Sequence, residues 1–282
     1  MQSSMNKTII RTFLIIFISF VGYNLYAVEE KNDATAEYIE EFYKKALADY
    51  DIQQYEKSLD NIRHVIKSDM DNYKLRYLAA HNHWKLGNFE SAEAHFKRTI
   101  SAEPNNAGPY IDYSLMQLHM RDYKRSEKTA KKGIKVLSGN KIEVPSKLYN
   151  IIARIKLLNG NAKESLEYAE KAKSLLDQKG TGVKDKLEAM VLEARSQLLL
   201  KNFDKAELSM QWALSLRKTS PYLHNLLGYV YSTWATSIIE SDPKRADNLK
   251  QNALNHYQIA LKQPNVADNF KEIIEENIKK IQ

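Results

Sequence analysis

The chain has 282 residues, 43% of them hydrophobic and 27% charged, with only 9 glycines and 6 prolines. This composition supports a helix-rich globular fold and argues against a largely disordered chain or a turn-dense sheet. The net charge of +7 is spread along the chain without the dense basic stripe of a nucleic-acid binder, and the lack of any cysteine excludes disulfides, thiolate metal sites, a cysteine nucleophile and a lipid-modified cysteine.

Residues 1–27 carry Lys7 and Arg11 and no acidic residue, followed by an apolar run from Phe13 to Gly22. A basic head, a short apolar middle and a small residue at the end describe an export signal, here cleaved after Ala27. The run is shorter than the roughly 20 apolar residues that span a bilayer. The remaining alternative is an uncleaved anchor in the inner membrane. Removing the two charges of Lys7 and Arg11 from +7 leaves +5 on the mature chain. The expected product is exported, periplasmic or secreted, with no membrane insertion after cleavage.

Beyond a linker at 28–38, the aromatic residues Tyr55, Phe89 and Tyr123 recur every 34 residues, each followed three positions later by a small residue, Ser58, Ala92 or Ser126. A fixed period of this length marks stacked helix–turn–helix units. After each anchor, apolar or small residues continue at helical spacing, as in Ala92, Phe96, Thr99 and Ile100, giving one stripe of an amphipathic helix. Gly87 supplies a left-handed helix end, Asn88 is placed to cap the next helix, and Pro104 stops it.

Later anchors fall at Ala162 and Phe203, 39 and 41 residues after their predecessors. The extra residues, Lys141–Pro145 and Gly180–Lys186, are expected in loops between units. In the last unit the first helix is expected to run to about Glu240, with Asp242-Pro243 starting the second as cap and first residue. A lengthened hairpin and two short elements are both compatible with this stretch. The closing segment places Phe270, Ile273, Ile274, Ile278 and Ile281 on one stripe of a terminal helix.

These motifs resemble the tetratricopeptide repeat family, most closely in Tyr73–Asn106 through Ala80, Gly87, Phe89, Ala92, Phe96 and Pro104. The resemblance implies an all-α fold: a right-handed α-α superhelix of about six hairpins, near 39–72, 73–106, 107–140, 146–179, 187–220 and 221–264, with a capping helix over 265–282. It also implies a non-enzymatic interaction scaffold of the cell envelope that binds a protein or peptide in its concave face. The alternative is a permanent subunit of an envelope assembly or secretion complex.

In this family the first helix of each unit lines the concave face. The family's inward offsets fall here on Tyr43, Tyr77, His81, Trp84, His119, Asn150, Arg154, Arg195, Asn225 and Tyr229. Apolar companions are Ile111, Leu115, Val191 and Leu198. Tyr and Trp offer rigid contact area and Arg holds carboxylates with two hydrogen bonds. For Tyr43 and Trp84, packing between helices is an equal expectation, and for the two arginines an ion-paired face is the competing one. The carboxylate clamp of co-chaperone repeats is not expected, because of its positions only Lys74 fits.

No catalytic constellation stands out. There is no phosphate-binding glycine loop and no Gly-x-Ser-x-Gly. In His81-Asn82-His83 the two histidines point to different sides of a helix, so no shared metal is expected. The expectation is a chain without catalytic residues, cofactor or metal, binding a protein but no nucleic acid. Its partner and oligomeric state are left open by the sequence.

Overall fold

The computed structural model describes residues 35–177 and 182–281. The expected signal at 1–27 lies outside them. Among the described residues every regular element is a helix: α1 (35–51), α2 (Tyr55–Val65), α3 (Tyr73–Lys85), α4 (Phe89–Ala102), α5 (Ala107–His119), α6 (Tyr123–Gly139), α7 (Ser146–Leu158), α8 (Ala162–Asp177), α9 (Val183–Leu199), α10 (Phe203–Leu216), α11 (Pro221–Ile238), α12 (Pro243–Lys262) and α13 (Asp268–Lys279). The all-α series of hairpins closed by a terminal helix is the fold read from the sequence.

The chain divides into two compact units, Met1–Pro109 and Tyr110–Gln282. In the first, α3 packs on α2 and on α4, and a core of Ala46, Leu59, Ile62, Val65, Leu75, Leu78 and Ala79 lies between the early helices. In the second, each helix from α6 to α12 packs on its successor, and α7 also touches α9.

The first five hairpin turns solve the same backbone problem. The residue two before each anchor adopts the left-handed conformation, at Gln53, Gly87, Arg121, Gly160 and Lys201. Glycine takes this conformation freely, whereas a residue with a Cβ pays roughly 1–2 kcal/mol. Three of these five turns therefore hold a strained non-glycine residue. This is why the Gly-x-aromatic signature is visible in only part of the sequence.

The small residues three places after the anchors do more than leave room. Ser58 Oγ donates to the Ala46 carbonyl at 2.7 Å and Ser126 Oγ to the Ser114 carbonyl at 2.8 Å, in both cases across the hairpin to the residue 12 earlier. Asn82, fully buried, donates from Nδ2 to Ser58 Oγ at 2.8 Å and to the Leu78 carbonyl at 3.0 Å. One polar chain thus joins α1, α2 and α3 inside an otherwise apolar layer.

Several boundaries differ from the sequence reading. Helix α1 already covers 35–38, part of the expected linker, because Tyr38 packs its ring on Phe42 at 4.8 Å and so rewards one more turn. Residues 183–186, read as loop, form the first turn of α9. Gly182 turns with φ +84°, Lys186 N–H bonds to its carbonyl at 2.9 Å, and Asp185 sits where the helix dipole favours an acid. Asn88 holds the N-cap position of α4 but its side chain accepts no capping bond, whereas Asp242 does cap α12 through Arg245 N–H at 3.0 Å. Helices α11 and α12 form one lengthened hairpin. In α13, Ile274 is fully buried while Ile273, expected on the same stripe, is 48% exposed.

Candidate functional site

In the first unit Tyr77, His81 and Trp84 gather around Phe96, which is fully buried. Their ring centroids lie 6.2, 5.7 and 6.4 Å from that of Phe96. Tyr77 and His81 were expected to face a ligand, and for Trp84 packing between helices was an equal expectation; all three pack on Phe96, because α4 presents its ring to the same face of α3. Tyr43 is half-buried against the early core, with Lys74 Nζ 5.9 Å from its ring centre. The string His81-Asn82-His83 splits three ways, since His81 joins the aromatic cluster, Asn82 bonds Ser58, and His83 stacks on His95 at 5.4 Å. Among the described residues no three His, Cys, Asp or Glu side chains are grouped to hold a metal.

In the second unit Asn150 is a correction. It is fully buried and donates from Nδ2 to the Asp185 carbonyl at 2.9 Å, so it braces the first turn of α9 and is closed to a ligand. Its Oδ1 has no hydrogen-bond partner. Arg154 is ion-paired with Glu188, which Lys147 also holds. Lys147 reaches Asp185 as well, at 3.4 Å. The extra turn of α9 is therefore clamped by α7, and Arg154 is half-neutralised. His119 is exposed in the last turn of α5.

Tyr229 lines a hollow between α9 and α11, while Arg195, exposed on α9, and Asn225, half-buried on α11, line neither of the two hollows there. On α9, Lys184, Glu188, Val191, Arg195 and Leu199 share a helical stripe. On α11, Tyr222, Asn225, Tyr229 and Thr233 do the same. Two hollows mark the ends of the strip between them. The first, about 380 Å³, is lined by Lys184, Leu187, Glu188, Val191, Arg217, Tyr222 and Leu223, with Lys147 and Arg154 at its edge. The second, about 550 Å³, is lined by Leu198, Leu199, Phe203, Tyr229, Thr233 and Tyr257 and closed by Asn277, Lys280 and Ile281 at the end of the chain. Asn277 Nδ2 donates to Asn225 Oδ1 at 3.2 Å, which fixes α13 against α11.

The first hollow gathers Lys147, Arg154, Lys184 and Arg217 around Glu188, and the second is apolar and hydroxyl-rich with Lys201 and Lys280 in its lining. From residue 184 to 199 the α9 stripe runs about 22 Å at 1.5 Å per residue, the reach of roughly seven extended residues. Lys184, Arg217 and Tyr222 were not read as site residues from the sequence. Lys184 belongs to the turn of α9 taken for a loop, and Arg217 follows α10, so a rule based on first helices overlooks it. The signal that was available is the basic spacing Lys184, Arg195 and Arg217 around an apolar stripe.

Two half-buried histidines make the protein acid-sensitive. Burial, then the charge of Arg76 and the neighbouring His83 and Arg98, holds His95 down at about 4. Burial, then His224, does the same to His256, also at about 4. Both are neutral when folded at neutral pH. Unfolded, they titrate at the ordinary value near 6.5, so below that the unfolded chain binds more protons and stability falls. The loss runs from about pH 6.5 to 4 and amounts to about 1 kcal/mol for each once solvent screening is allowed for. Urea unfolding at pH 7 and 4.5 measures it, and His95→Gln is expected to remove about half of the pH dependence.

No protein-family model matches the sequence, and no curated protein does either. Solved structures match the fold. One is the Cut9 and Hcn1 hetero-tetramer of the APC/C, with TM-score 0.61 at 12% identity over 85% of this chain. The chain spans only 42% of that neighbour. PilW, a type IV pilus biogenesis factor, matches with TM-score 0.63 at 15% identity, over 84% of this chain and 98% of its own. YrrB, described as a TPR protein with an unusual peptide-binding site, matches with TM-score 0.52 at 13% identity, over 71% of this chain and 95% of its own. The fold is that of the tetratricopeptide-repeat proteins.

Proposed function

We infer that this TPR chain is a non-enzymatic scaffold, exported to the cell envelope, that holds an extended segment of a partner protein along α9 and α11. The observation that carries this reading is the groove itself, with exposed Lys184, Arg195 and Arg217 at one side of an apolar strip and the Tyr229 hollow at the other end. Such a surface fits a segment with acidic side chains followed by apolar ones, because arginine binds carboxylates by paired charge-assisted bonds and Tyr and Leu supply area. Peptide binding by YrrB and pilus biogenesis by PilW, as those structures are described, support a protein partner and an envelope setting. The basic and apolar leader at 1–27 supports export. No helix among the described residues is long and apolar enough to cross a membrane.

A second reading, a permanent subunit of an envelope assembly, draws on α10. Leu208, Trp212 and Leu216 are 48%, 51% and 41% exposed at a spacing of four, which makes an apolar stripe on the outer helix of its hairpin. A photoreactive residue placed at Arg195 or at Trp212 in intact cells separates the two. Capture from position 195 supports the groove, and capture from 212 alone supports the permanent interface. In the triple variant Lys184→Ala, Arg195→Ala and Arg217→Ala, partner affinity is expected to fall about tenfold, roughly 1.4 kcal/mol, with unchanged helicity. Unaltered affinity would remove the groove assignment.

A further inference from the structure

The first unit holds a second pocket that the peptide groove does not use. It lies on the α3–α4 hairpin, has a volume of about 230 Å³, and is lined by Arg76, His83, Ser91, Ala94, His95 and Arg98. The groups around it are overwhelmingly cationic or neutral donors. Arg76 is 8% exposed and commits its Nε to the Met70 carbonyl at 2.8 Å. Arg98 lies close enough for its charge to act on Arg76, and Asp71 offsets this only in part. From α2, Arg63 acts on His83 in the same sense. The His83 and His95 rings stack with 22° between their planes, and the Nδ1 atom of each is buried without a hydrogen-bond partner.

That combination is costly unless something completes it. A buried ring nitrogen without a partner loses its hydration, and two guanidinium groups near one another repel. A metal cation is a poor candidate, since it would enter against the fields of Arg76 and Arg98. An anion with several acceptor oxygens answers the cationic lining: it accepts from the Arg76 and Arg98 guanidinium groups and from the Ser91 hydroxyl, and it lies beside the stacked imidazoles.

We propose that the pocket formed by Arg76, His83, Ser91, His95 and Arg98 binds a phosphate-type oxyanion. The volume suits a single phosphate group, either free or carried on a lipid headgroup. Binding couples to protons. Burial first, and the surrounding cations after it, hold His95 down at about 4; an anion neutralises the cations, so the titration midpoint rises when the site is filled. By linkage, an anion that does not itself titrate, such as sulfate, binds more tightly as the pH falls from 7 to 5. This pocket is independent of the groove reading, and neither stands or falls with the other.

The test follows the histidine ring signals of the purified protein by NMR. In one arm inorganic phosphate is added against a constant chloride background, and in the other phosphatidylglycerol vesicles are added and sedimented. The expected result is a saturable change in the His83 and His95 signals, a His95 midpoint raised by at least one pH unit, and affinity at least tenfold weaker in Arg98→Gln. Arg98 is exposed, so this variant keeps the fold. Response to phosphate with no vesicle binding assigns the site to the free anion, and vesicle binding lost in Arg98→Gln assigns it to the headgroup. The proposal is overturned if neither arm moves the two histidines, if Arg98→Gln responds like the parent, or if Zn²⁺ moves them and phosphate does not.

Discussion

Replacing Phe96 with Ala is expected to cost about 3–5 kcal/mol, the usual penalty for emptying a fully buried aromatic site. The ring is completely enclosed and is the common neighbour of Tyr77, His81 and Trp84. Losing it removes both its own transfer energy and the edge-to-face contacts of the other rings, each worth roughly 0.5–1.5 kcal/mol. Urea unfolding followed by far-UV circular dichroism measures the loss, and Trp84 fluorescence reports it locally. A cost below about 1 kcal/mol would show that these aromatics stabilise nothing and are kept for a ligand.

The second large effect is expected at Gly228. A Cβ built there would stand 2.7, 2.8 and 3.0 Å from the Cε1, Cδ1 and Cζ atoms of Tyr257. Tyr257 is fully buried, and its ring lies directly over the glycine. Helix α11 can therefore approach α12 this closely only with glycine at the crossing. Gly228→Val is expected to destabilise by about 3 kcal/mol, the upper end of overpacking penalties, which outweighs the few tenths gained in helix propensity. The double variant Gly228→Val with Tyr257→Leu is expected to recover part of the loss. If the single variant unfolds at the parent's urea midpoint, the close crossing of these helices is wrong.

The hairpins were legible in the sequence because the information is local. The spacing of Tyr55, Phe89 and Tyr123, and the stripe of small and apolar residues after each, depend only on 3.6 residues per turn and on one face being buried. Asp242-Pro243 announced α12 for the same reason, since a cap and a first-turn proline act on their immediate neighbours. The limits were equally physical. A turn needing one left-handed residue reads clearly as Gly87 or Gly160, but Arg121 and Lys201 carry the same conformation with nothing in their chemistry to show it. The first turn of α9 was hidden because its support comes from Lys147 and Asn150, more than thirty residues earlier.

The site was read less completely than the fold. Family offsets named Arg195, Asn225 and Tyr229; the first lies on α9 and the others on α11, and Tyr229 lines a hollow. The same offsets also named Asn150 and Arg154. The first is buried against the Asp185 carbonyl and the second is paired with Glu188.

What the sequence alone determined is the pairing of helices into repeated hairpins, since periodicity and turn chemistry act over a few residues. Only the tertiary structure decided that Asn150 is buried on the Asp185 carbonyl, that Arg154 is paired with Glu188 while still lining a hollow, and that Lys184 and Arg217 line the same hollow. It also brought His83 and His95 into one pocket with two arginines. A side chain's partner is set by how one helix is rotated against the next, and that rotation is fixed by packing across the hairpin, not by the neighbours along the chain.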